Sequence, residues 1–253
     1  MTSTKQYEPR QVIRSITSVL KNPAADSQQT SQALRGEMCH VFEEQGDYVQ
    51  VQLLGDSYMG YVETAALSKI LEVPTHWVST LATLIYPQPD LKSHPVEFLG
   101  MNAQIRATGV EGNFTALSGG GYIFSDHLWP IDKRQANFVA VAQQFLHVPY
   151  YWGGKSARGI DCSGLVQMAL QASGFSSPRD SGEQEKTLGI PITDYNTLRS
   201  GDLVFWPGHV GIMQSATHLI HATGYIMKVT SEPLTDVIQR SDKPISNIKR
   251  LIA

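Results

Sequence analysis

Cysteine is scarce in this sequence: 253 residues contain two, Cys39 and Cys162. Thiols 123 positions apart make no disulfide framework. There is no C-x-x-C, no H-E-x-x-H and no cysteine/histidine cluster at zinc spacing, so no metal site and no cofactor is expected. Charge is sparse as well. Charged residues are 17% of the chain and the formal net charge is -3, so nothing advertises a nucleic-acid surface and no nucleic-acid partner is expected. No run reaches the roughly 18 apolar residues of a membrane span, and no membrane partner is expected. The opening "MTSTKQYEPRQVIRS" lacks the apolar core of a secretory signal, which favours the cytoplasm, or a secreted or periplasmic site if the start has been trimmed. What the sequence does have is length enough for two or three compact units.

From about residue 12 the polar start, residues 1–11, gives way to short alternating runs, "MCHVFEE" and "DYVQVQLL", separated by Gly, Asp and Ser. Such runs predict short strands joined by turns. A second set follows in "VEFLGMNAQIRATG", "NFTALS" and "GGGYIFSDHL". Laid over the first, Gly36 falls on Gly100, Tyr48 on Phe114, Tyr61 on Tyr122 and Leu67 on Leu128, at offsets of 61 to 66 residues. A duplicated all-β unit is expected, one copy over 12–70 and one over 75–130. Cys39 lies in an alternating run with Val41 on its face and reads as packing.

Past "WPIDKRQ" the period changes. Phe138, Val141, Ala142 and Phe145 sit at helical spacing within 135–146. An aromatic Pro/Gly-bounded loop, "HVPYYWGGKSARG", leads into "GIDCSGLVQMAL", where Leu165, Val166, Ala169 and Leu170 form an apolar helical stripe and Gly174 marks a stop. "DLVFW", "HVGIM" and "HLIHAT" then read as consecutive strands, the first two joined by a Pro-Gly turn. Residues 134–253 are therefore expected to be an α+β domain.

Cys162 opens the helix of that domain. The free N–H groups of a helix start concentrate positive potential, which lowers a thiol's pKa and supplies donors for an oxyanion. A thiolate nucleophile needs a base oriented by a third polar group. His209, at the start of one strand, and His221, near the end of the next, are placed to share a sheet face, with His209 as base and His221 as its orienter. His218 competes with His221, but period-two alternation turns it to the opposite face.

The order of these blocks, "PYYWGGKS", "GIDCSGL", "RDSGEQ", "SGDLVFW", "HVGIM" and "LIHA", resembles the NlpC-type family of papain-like cysteine peptidases that cut bacterial cell-wall peptides. The resemblance covers roughly residues 134–252 and assigns Cys162, His209 and His221 to the nucleophile, base and third polar positions. The two β units resemble bacterial Src-homology-3 barrels, and "GDSYMGYVETAAL" is similar to the group whose first barrel forms one wall of the active site. The whole arrangement is similar to the dipeptidyl-peptidase VI group of γ-D-glutamyl-L-diamino-acid endopeptidases. That implies a peptidoglycan-derived stem peptide as substrate, with a free N-terminal L-alanine. By the same resemblance Tyr58, Asp161 and Glu37 would meet the substrate's ammonium, and Ser163, Asp180 and Ser181 would make further substrate contacts. The second β unit lacks the Gly-Trp-Val signature common in such modules, which fits a spacer or packing brace. Two other readings stay open at this level: a cysteine-dependent acyltransferase or amidase on another substrate, and a non-catalytic cell-wall-binding protein.

Overall fold

Every second side chain points inward along the N-terminal strands: in Tyr48–Leu53, Val49, Val51 and Leu53 are buried while Tyr48, Gln50 and Gln52 are half-buried. A computed structural model describes residues 7–252 and divides the chain into two units, Met1–Lys133 and Arg134–Ala253. Among the described residues no helix is long and apolar enough to cross a membrane, and no three or more His, Cys, Asp or Glu side chains are grouped to hold a metal ion.

The first unit opens with strands β1 (Glu8–Val12), β2 (Ile16–Leu20), β3 (Gln29–Leu34), β4 (Met38–Gln45), β5 (Tyr48–Leu53), β6 (Met59–Glu63) and β7 (Leu67–Ser68). They form one curled antiparallel sheet in the order β3-β2-β6-β5-β4-β1-β7. Its core gathers Val12, Val19, Val41, Val49, Val51, Val62 and Cys39. Cys39 is thus a packed hydrophobe, its thiol pushed up to about 12 by burial. The segment 1–11 is not simply a tail. Residues 1–6 lie outside the described residues, but β1 pairs with both β4 and β7. Its polar text conceals this because Gln11, buried, satisfies its amide by donating to the carbonyls of Gly36 and Glu72.

Strands β8 (His76–Val78), β9 (Ala82–Ile85), β10 (Glu97–Gly100), β11 (Gln104–Ile105), β12 (Ala107–Glu111), β13 (Phe114–Leu117), β14 (Tyr122–Phe124) and β15 (Leu128–Pro130) repeat the plan around a second core of Val78, Ile85, Leu99, Ile105, Leu117 and Ile123. The pairings match strand for strand, β8 with β11 and β15 as β1 with β4 and β7, and a 3-10 turn precedes the last strand of each copy. One alignment expected from sequence is corrected. Gly36, with φ +86°, has as its counterpart Asn102, with φ +66°, rather than Gly100. Both amides donate back to the first strand, Gly36 to Val12 and Asn102 to Val78. The turn requires a left-handed residue, and asparagine fills it where glycine does in the first copy. At Gly36 a Cβ would also stand 2.6 Å from the carbonyl oxygen of Gln104.

The second unit is α+β. Helix α1 (Phe138–Gln144) starts at Asn137, whose side chain accepts from the amides of Val139 and Ala140. After the short pair β16 (Lys155–Ser156) and β17 (Gly159–Ile160) come α2 (Cys162–Ala172), α3 (Ser181–Thr187) and β18 (Ile190–Pro191). Then follow β19 (Leu203–Trp206), β20 (His209–Met213), β21 (His218–Thr223), β22 (Lys228–Pro233), α4 (Leu234–Arg240) and β23 (Asn247–Arg250). The antiparallel sheet runs β18-β23-β19-β20-β21-β22. Helix α2 is buried on all sides, save Gln171, and not only along the stripe read from sequence. It packs against α1, α3 and the sheet at once, which also buries Gln167; that side chain donates to the Ser177 carbonyl. At its end Gly174, with φ +85°, donates to Gln171 and Phe175 donates to Leu170, the bond pair of a glycine-terminated helix.

Candidate active site

Asp161 is the N-cap of α2 and Cys162 its first residue. The Asp161 carboxylate accepts from the amides of Gly164 at 2.7 Å and Gly153 at 2.8 Å. Arg179, 1% exposed, closes a two-pronged pair with it, at 2.9 and 2.7 Å. The same guanidinium donates to Ser163 Oγ at 2.9 Å and to the Gly154 carbonyl at 3.4 Å. Gly154 and Gly164 permit this convergence. A Cβ on Gly164 would meet the Gly154 oxygen at 2.3 Å, and one on Gly154 the Gly159 oxygen at 2.4 Å. Loop 153–154, the start of α2 and the segment before α3 are thereby tied around one buried ion pair.

Sheet register places the other groups. Opposite His221 on β20 is Gly211, in the register that pairs Ile212 with Ile220, and His209 lies two residues before it on the same face. On β22 the residue opposite His221 is Thr230, and Glu232 lies two beyond, again on that face. A diagonal row therefore crosses three strands. His209 Nε2 and His221 Nδ1 are 2.7 Å apart, and His221 Nε2 and Glu232 Oε1 are 2.7 Å apart. Arg240, from α4, closes the row with a bidentate pair to Glu232 and lies over the Tyr225 ring at 4.8 Å. His218 is exposed and bonds Thr217.

The sulfur of Cys162 accepts hydrogen bonds from the amides of Val210 and Ser163, which puts it one residue from His209. These amides and Arg179 favour the thiolate, yet burial, reinforced by Asp161, pushes the thiol up to about 12. The sequence expectation of a thiol lowered by the helix start is thus overturned: with 7% of Cys162 exposed, desolvation outweighs the helix-end donors. Burial likewise takes His209 down to about 3, helped by His221 and Arg240 and opposed by Glu232. His221 is lowered as well, burial outweighing Glu232. Thiol and imidazoles are therefore all neutral at rest.

This has a consequence for stability. His209, half-buried, and His221, buried, stay unprotonated in the fold while the unfolded chain takes up protons below its ordinary 6.5. Unfolding then binds protons, so their contribution is fully present above pH 6.5 and is lost as pH falls toward 3. Thermal melts between pH 7.5 and 4 are expected to show the midpoint falling, by at most about 1.4 kcal/mol per pH unit for each histidine. In His209→Gln the slope is shallower. Equal slopes in the two proteins would refute this assignment.

The remaining sequence-expected positions fall as follows. The Asp161 carboxylate accepts from Arg179 and from the amides of Gly164 and Gly153, and the Ser163 hydroxyl belongs to the same network, so both residues hold the helix start. Asp180 is exposed at the N-cap of α3, and Ser181 is half-buried as its first residue. Tyr58 and Glu37 belong to the first unit. There Tyr58 packs on the first core with its hydroxyl 3.5 Å from the Thr30 carbonyl, and Glu37 accepts from the Leu34 amide at 2.9 Å. Sequence reasoning passed over Arg179, Glu232, Arg240 and Tyr150. Tyr150 is half-buried near the thiol, and its phenol is pushed up to about 12 by burial and then by Cys162 and Asp161, so it stays protonated. The signal for Arg179 was available: an aspartate capping a buried helix start requires a cation.

The pattern of the NlpC/P60 family matches residues 147–242, and that of the bacterial dipeptidyl-peptidase SH3 domain matches residues 19–67, within the first β unit. Over 236 residues the chain is 27% identical to a γ-D-glutamyl-L-lysine dipeptidyl-peptidase of Bacillus subtilis, covering 84% of this chain and 78% of that relative. It is 38% identical over 101 residues to dipeptidyl-peptidase 6 of Lysinibacillus sphaericus, covering 39% of this chain and 36% of that relative. In fold it is similar to a crystal structure of an NlpC/P60 family protein from Bacillus cereus, with a TM-score of 0.81 at 19% identity over 97% of this chain and all (100%) of that one. The α+β unit that brings Cys162 to the start of β20 is accordingly an NlpC/P60 domain, it follows a bacterial dipeptidyl-peptidase SH3 domain in the chain, and the protein is a hydrolase of the cysteine-peptidase kind.

Proposed function

We propose that the protein hydrolyses peptidoglycan-derived peptides at the bond between the γ-carboxyl of D-glutamate and the following diamino acid, in peptides with a free N-terminal L-alanine. The observation that carries the reading is the sulfur of Cys162 beside the first residues of β20, where the row His209–His221 begins. The activities for which the Bacillus and Lysinibacillus relatives are named supply the substrate class.

In the proposed reaction His209 takes the thiol proton as sulfur bonds to the γ-carbonyl carbon. Because thiol and imidazole are both neutral at rest, the proton moves as the bond forms rather than before it. The carbonyl electrons move to oxygen, which the backbone N–H of Cys162 and the protonated Tyr150 phenol are suited to hold. Collapse expels the diamino acid's amine, which takes the proton from His209 and leaves a thioester. Water, deprotonated by His209, then adds to the thioester, and the sulfur leaves as thiol. His221 orients His209 throughout.

The test is a mass-spectrometric digest of L-Ala-γ-D-Glu-diamino acid peptides, with diaminopimelate or lysine, free or acetylated at the N-terminus. Release of L-Ala-D-Glu from free peptides is expected, with acetylated ones slowed by at least about tenfold through loss of a charge-assisted contact. Absence of cleavage in all of them would overturn the bond assignment. Equal rates on free and blocked peptides would overturn the amine requirement.

A further inference from the structure

The row of hydrogen bonds does not end at the third group. We propose that Glu232, clamped by Arg240, is a positioning residue of the site: it sets the tautomers of His221 and, through it, of His209, leaving His209 Nδ1 bare to receive the proton of Cys162. The inference rests on the reading of Cys162 and His209 given above.

Donors and acceptors fix where the hydrogens of the row lie. The Glu232 carboxyl is held below the usual carboxylate range, first by its hydrogen bonds from Arg240 and then by that from His221, so it is ionised and only accepts. At 2.7 Å from Glu232 Oε1, His221 Nε2 must therefore carry hydrogen. A neutral imidazole has one N–H, so His221 Nδ1 is bare and accepts. Its partner at 2.7 Å, His209 Nε2, must donate. That leaves His209 Nδ1 as the lone pair of the pair of rings. Reverse any one assignment and two hydrogens or two lone pairs face each other across 2.7 Å.

Burial enforces the chain of consequences. The His221 side chain is 1% exposed, so water does not supply an alternative partner, whereas Glu232 at 19% and Arg240 at 23% lie toward the rim. Arg240 answers a second requirement. A lone carboxylate beside two imidazoles favours a proton on the nearer ring, and the guanidinium offsets that pull, so Glu232 orders the hydrogens without charging the row. When His209 becomes imidazolium during turnover, its excess charge faces, through His221, a fixed carboxylate.

The test uses the full chain and two variants, Glu232→Ala and Glu232→Gln, with two readouts. On the free peptides above, Glu232→Ala is expected to lower kcat by about 10- to 100-fold with KM within about twofold, since the group never touches substrate. Glu232→Gln keeps an acceptor oxygen and recovers most of that loss. The second readout needs no substrate: 15N shifts of the imidazole rings in the Cys162→Ala background, at pH 7. Both rings are expected as the Nε2–H tautomer, and removing the Glu232 side chain mixes the tautomers of both. A glutamate that served stability alone would lower kcat, if at all, with ring shifts unchanged, and that result overturns the proposal, as does unchanged kcat in the folded Ala variant. If instead the natural chain cleaves none of the peptides while the tautomers follow Glu232 as stated, the substrate reading fails and the positioning role stands.

Discussion

Replacing Cys162 by alanine is expected to abolish peptide cleavage and to leave the fold in place. The proposed reaction forms its covalent bond at this sulfur, and no residue in contact with it supplies a substitute: Ser163 is tied to Asp161 and Arg179, and Tyr150 is a phenol pushed up to about 12. For a covalent mechanism the loss in kcat is about 10^4-fold or more. The stability cost is small, about 1 kcal/mol, because alanine has high helix propensity, the Asp161 cap is untouched and a single sulfur atom is removed. Activity and unfolding midpoint measured on one preparation separate the two effects. A Cys162→Ala protein retaining even a hundredth of the natural rate would place the nucleophile elsewhere. Cys39 provides the internal control: it too is buried and raised to about 12, but in a β core, and its replacement by alanine is expected to leave turnover unchanged. The burial of Cys162 adds a chemical corollary. A thiol raised to about 12 is almost wholly protonated at pH 7, so alkylation of the resting protein is expected to be slow at both cysteines, and in the proposed reaction the thiolate forms only as the substrate is attacked.

How much of this site could be read from residue order depends on how local each signal is. Cys162 lies between a capping aspartate and an apolar helical run, and both marks sit within a few residues of it. His209 and His221 flank turn and alternation signals of the same range, and the Pro207-Gly208 turn fixes where β20 starts. Glu232 and Arg240 carry no such mark. Each is an ordinary charged residue near a strand or helix end, and its role exists only because β22 pairs with β21 in a register that puts Glu232 one diagonal step from His221. The thiol's titration was misjudged for a related reason. The helix start was legible, but the burial of α2 on every face follows from packing against α1, α3 and the sheet together, which a one-stripe reading of its apolar residues misses. In the β half the repeat was legible at its aromatic positions, whereas the Gly36 counterpart was not, because the property repeated there is a left-handed backbone angle, shared by glycine and Asn102.

The largest expected loss of stability comes from Arg179→Met. Methionine keeps the unbranched stem of arginine for four atoms, so the substitution removes chiefly the guanidinium head with its charge and donors. What remains is an Asp161 carboxylate with 7% exposure, two amide donors and no cation. Breaking a buried pair by removing one partner costs about 3–5 kcal/mol, well above the worth of any single hydrogen bond in the unit. For a unit of this size the midpoint of its unfolding transition, followed by calorimetry, is expected to fall by about 10 °C or more. The loss can be separated from mere packing by the pair Asp161→Asn and Arg179→Met. Asparagine is an equally good cap and needs no counter-charge, so the double variant is expected to be more stable than Arg179→Met alone. If the two losses simply add, the ion pair is not what holds loop 153–154 to the helix start. Activity should follow a different course. The double variant keeps the cap and the amides around the sulfur but loses Asp161, a contribution that raises the Cys162 thiol, and Arg179, one that lowers it. These oppose each other, so turnover in the double variant is governed by how well the loop and the helix start stay joined, and it recovers together with the melting transition.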